Sequence, residues 1–145
     1  MKATVKINGK DAEITLTEEQ VKQIECQNRM QKIYEYYNTT EEKFNTLYKD
    51  VSKFAKAQEI ERMIVNFYNK GVLPDWSSTE QYKYYPYFNL GKNFSYGGYG
   101  SWESVSFISA RLCFLRVEDL LEAVEVFKNN MKTQEINNYE LKITD

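Results

Sequence analysis

The chain has 145 residues, 42% apolar, 28% charged and 15% aromatic, with 19 basic against 21 acidic side chains and no histidine. That length makes about one domain, large enough to bury a core without disulfides or metal. The balance excludes disorder, a collagen-like repeat and a strongly basic nucleic-acid coat, and the missing imidazole removes both the commonest neutral-pH proton shuttle and the commonest metal ligand.

Residues 1–16 read as a β-hairpin. Val5 and Ile7 alternate with polar residues, Asn8-Gly9 supplies a turn with positive φ at both central positions, and Ala12, Ile14 and Leu16 continue the alternation. Residues 17–70 form the helical part. Thr17-Glu18-Glu19-Gln20 is a capping box that starts a helix carrying Val21, Ile24, Ile33, Tyr34 and Tyr37, and Thr39-Thr40-Glu41-Glu42 is a second one. Phe44, Leu47, Tyr48, Val51, Phe54 and Ala55 then recur at helical spacing, and the stripe shifts phase to Ile60, Met63, Ile64, Phe67 and Tyr68. The phase shift predicts a bend or abutment near Ala57, and Gly71 and Pro74 end the segment.

Residues 76–115 change character: they hold more than half of the aromatic side chains, and their only charges are Glu80, Lys83, Lys92, Glu103 and Arg111. Aromatic and β-branched residues suit a pleated, half-buried surface. Strands are predicted near 82–89, 93–97, 102–108 and 109–115, the last two able to be one. Pro86 makes the first an edge strand or a bulged one. Asn89-Leu90-Gly91-Lys92-Asn93 reads as a turn and Gly97-Gly98-Tyr99-Gly100-Ser101 as a flexible loop. Residues 117–131 form an amphipathic C-terminal helix on Val117, Leu120, Leu121, Val124 and Phe127, and Tyr139–Ile143 can add a short strand. The expected fold is one α+β domain: a small antiparallel, aromatic-rich sheet against amphipathic helices, with the N-terminal hairpin.

Histidine's absence leaves neither a Ser-His-Asp nor a Cys-His arrangement within the chain, and no Ser-x-x-Lys, P-loop or G-x-G-x-x-G motif occurs. Asp75 and Glu103 could make a carboxylate pair only if separate loops converged. Cys26 and Cys113 sit in apolar patterns and read as reduced structural thiols. No catalytic residue, metal site or cofactor is predicted. The first residues lack an apolar leader and no stretch reaches the roughly 18 apolar residues of a spanning helix, so the expected place is the cytoplasm, away from membranes.

The tyrosine run is the most informative stretch. On a strand, Tyr82, Tyr84 and Phe88 point to one face and Tyr85 and Tyr87 to the other. Helices of one domain cover one face, which predicts a second face open to a partner. Candidate binding residues are Tyr84, Tyr85 and Tyr87 on the strand, Tyr96, Tyr99 and Trp102 around the glycines, and Arg111, which would stack, pair with Glu103 or present its fork to a partner.

Pro74-Asp75-Trp76, Lys83-Tyr84-Tyr85 and Arg111-Leu112-Cys113-Phe114, followed by an acidic amphipathic helix, resemble small proteins encoded by phages and mobile elements of gut bacteria. The resemblance covers residues 56 to 130 and implies an accessory protein of the bacterial host's cytoplasm that inhibits a host defence system, in the manner of an anti-CRISPR protein. The expectation is thus a non-catalytic module that binds a host protein such as a defence nuclease. The alternatives are single-stranded nucleic-acid binding by stacking, disfavoured by sparse cations, and a small nucleotide-ligand sponge. A homodimer through the acidic helix or an edge strand is a further open arrangement.

Overall fold

Local caps set the helical elements of the computed structural model, which describes residues 2–7, 10–89, 95–102 and 112–133. Thr17 opens α1 (Glu18–Tyr36): its hydroxyl accepts from the Gln20 N–H at 3.2 Å while the Gln20 side chain accepts from the Thr17 N–H at 2.9 Å. The helix closes where Asn38 enters the left-handed region at φ 52, with the Thr39 N–H on the Tyr34 carbonyl and the Asn38 N–H on the Glu35 carbonyl. Thr40 caps α2 (Glu41–Leu47) and Ser52 caps α3 (Lys53–Tyr68), each through its hydroxyl on the third backbone N–H beyond it.

The expected bend near Ala57 is therefore corrected: the helix breaks at residues 48–52 instead. The consequence is exposure. Phe44 is buried and Tyr48 half-buried, whereas Leu47 is 75% exposed and Val51 and Phe54 also face solvent, because the new cap resets the helical phase. α3 ends with Lys70 at φ 55, and Gly71 follows at φ 76.

β1 (Lys2–Ile7) pairs antiparallel with β2 (Lys10–Thr15) in a sheet of its own, Ile7 opposite Lys10. The expected Asn8-Gly9 turn lies outside the described residues. The second sheet joins β3 (Lys83–Asn89) to β4 (Ser95–Trp102), antiparallel. Tyr87 pairs with Gly98 but Phe88 with Tyr96, so Gly97 is an extra residue that bulges the pair. The loop expected at Gly97–Ser101 is corrected to strand, since those residues lie within β4. Among the described residues this sheet has two strands. Of the strands expected at 102–108 and 109–115, residues 103–111 fall outside the described residues, as do most of the 89–93 turn and the 139–143 strand; over 112–115 the expectation is corrected, since only Phe114 makes a bridge, to Tyr84, and no continuous strand forms.

α4 (Val117–Thr133) lays Leu120, Ala123, Val124, Val126 and Phe127 against Ile33, Ile60, Met63, Ile64, Val65 and Tyr68. The resulting architecture is α+β, helices packed on a small aromatic sheet. Phe114 plugs the junction, fully buried with its ring edge-on to Tyr68 and Phe127. Its backbone is held from two sides. Tyr84 and Phe114 exchange N–H to carbonyl bonds of 2.8 and 2.7 Å, and the buried Asn69 amide donates to the Cys113 carbonyl at 2.9 Å while accepting from the Leu115 N–H at 3.0 Å. Strand alternation aims Pro86 to the same side as Tyr84, where no further pairing to this segment is made among the described residues. Both cysteines are buried and unbridged, burial pushing the Cys113 thiol up to about 11. No helix among the described residues is long and apolar enough to cross a membrane.

Candidate binding face on the aromatic hairpin

The pleat of β3 and β4 sorts the rings. Cross-strand partners share a face, so Tyr84, Pro86, Phe88, Tyr96 and Tyr99 lie on one side and Lys83, Tyr85, Tyr87 and Trp102 on the other. The first side meets the helices: Tyr84, Phe88 and Tyr96 pack against the core, and Phe88 and Tyr96 meet edge to face at 6.0 Å. Tyr96 places its hydroxyl in a buried position with no hydrogen-bond partner among the described residues. At the margin of this side Tyr82 stacks on Tyr84 at 6.3 Å, and Tyr99 meets Tyr84 edge-on at 6.1 Å. Tyr82 is 48% and Tyr99 44% exposed.

The opposite side is where the glycines act. A Cβ on Gly97 would come within 2.8 Å of the Tyr87 ring, and one on Gly100 within 2.6 Å of Tyr85 Cζ. Both distances are below any real contact, so the rings rest directly on the backbone of β4. Glycine supplies the absent side chain on which a ring can lie flat. Tyr85 also stacks on Trp102 at 5.1 Å with planes 17° apart. Tyr87 is 49% exposed; Tyr85 and Trp102 are half-buried. The three rings form a shelf fixed on its inner surface and, among the described residues, partly open on its outer one.

One end of that side is closed. Lys83, opposite Trp102, is fully buried: its ammonium donates to the Ser78 carbonyl at 2.7 Å and lies 5.4 Å from the centroid of the Trp76 ring. The covering turn is built by Asp75, which accepts from the Ser77 N–H and hydroxyl at 2.9 and 2.6 Å. Those bonds hold the Asp75 carboxyl below its ordinary range. Asp75 is thereby a turn-former; Glu103, its sequence-level companion, lies outside the described residues.

Of the candidate binding residues, the structure gathers Tyr85, Tyr87 and Trp102 on the outward shelf. It puts Tyr84 and Tyr96 on the core side and Tyr99 at that side's margin; Arg111 lies outside the described residues. Sequence reasoning missed the sequestration of Lys83 by Trp76, which only a Lys-Trp pair flanking a short polar turn could have suggested. Among the described residues no cluster of acidic and thiol side chains could hold a metal ion. No protein family, curated protein or solved structure matches the chain.

Proposed function

We propose that the protein is a non-catalytic binding module that docks a partner protein on the shelf of Tyr85, Tyr87 and Trp102. The observation that carries this reading is the pairing of exposed rings with buried cation. Tyrosine and tryptophan give large contact area with few rotatable bonds, and here the rings are already seated before docking. A stacking platform for single-stranded nucleic acid needs a basic groove beside its rings, and Lys83, the described cation on this side of the hairpin, is withdrawn beneath Trp76. A protein partner fits that chemistry better. The resemblance to phage and mobile-element proteins adds the finer proposal that the partner is a bacterial defence protein and that docking inhibits it.

The test is affinity capture from a gut-bacterial lysate with the parent chain, a Tyr85→Ala/Tyr87→Ala variant and a Tyr82→Ala/Tyr99→Ala variant, followed by binding measurements with the purified retained protein. Hot-spot rings are worth about 2 kcal/mol or more each, so the first variant is expected to lose the partner and the second to keep it. Equal affinity of parent and first variant, or retention of nucleic acid in place of protein, overturns the reading.

A further inference from the structure

We draw no further inference here: the strongest candidate, the exposed apolar corner that Leu47, Val51 and Phe54 form where α2 meets α3, carries nothing because nothing in the structure shows what covers it.

Discussion

The helical core and the β3–β4 hairpin are both rich in rings, and they seat them by different means. In the core, Tyr34, Phe44, Tyr68, Phe114 and Phe127 are surrounded by aliphatic side chains from three helices. In the hairpin, Tyr85 and Tyr87 lie on bare backbone supplied by Gly97, Gly98 and Gly100, and each keeps a surface toward solvent. Rings in the first setting contribute through burial from water; rings in the second are held in place without being used up by the fold. An aromatic-rich segment is thus no guide to stability until the residues beneath its rings are known.

The strongest way to break the contrast is at Phe114, where the two regions meet. Phe114→Ala removes a fully buried ring that touches both Tyr68 and Phe127, and should cost about 3–5 kcal/mol in denaturant unfolding. A loss below about 1 kcal/mol would mean that the site collapses freely and that the junction is loosely packed. Next comes Glu61 on α3, whose carboxyl burial pushes from 4.5 up to about 7. Between those values the folded chain holds a proton that the unfolded chain releases. Stability through this group is therefore full below about pH 4.5, falls as pH rises toward 7 and is absent above it. Glu61→Gln should leave stability unchanged near pH 4 and raise it by on the order of 3 kcal/mol at pH 8. Unfolding midpoints at the two pH values check both halves of that statement.

Asn69→Ala tests the seam itself. The substitution leaves the Cys113 carbonyl and the Leu115 N–H without the amide that now satisfies them, at a cost of about 2 kcal/mol. Hydrogen exchange should quicken at Leu115 and Phe114 and stay slow in the middle of α3. Uniform acceleration along the chain would show that the clamp and the helical core unfold as one unit.

What could be read from the sequence follows how local each signal is. Thr17 and Gln20 carry the start of α1 within four residues, so it was legible. Ser52 caps α3 with Ala55 in place of an acidic partner, and the apolar stripe runs straight across the break; the true boundary is therefore hidden, and Leu47, Val51 and Phe54, in one stripe with Phe44 by spacing, face solvent. Alternation placed Tyr85 and Tyr87 opposite Tyr84 correctly, because period two is a property of any strand. The glycines of β4 were read as a loop since their function depends on rings from the opposite strand. Lys83 under Trp76 depends on contacts between separate elements, which no local window contains.

The smallest effect sharpens the contrast most. Gly100→Ala sets a methyl group where the Tyr85 ring now lies, and overpacking of this kind costs about 1 kcal/mol or somewhat more. If the ring rests on the backbone as described, the cost belongs to the pair and not to the strand: once Tyr85→Ala has removed the ring, the same Gly100→Ala change should cost nearly nothing. The four-member cycle would then show a coupling of about 1 kcal/mol, and the Trp102 fluorescence should change in Gly100→Ala because its stacking partner has been lifted. Additive effects would mean that Gly100 is needed for the conformation of β4 alone, and that the shelf is held by the Tyr85–Trp102 stack without help from the glycine beneath it.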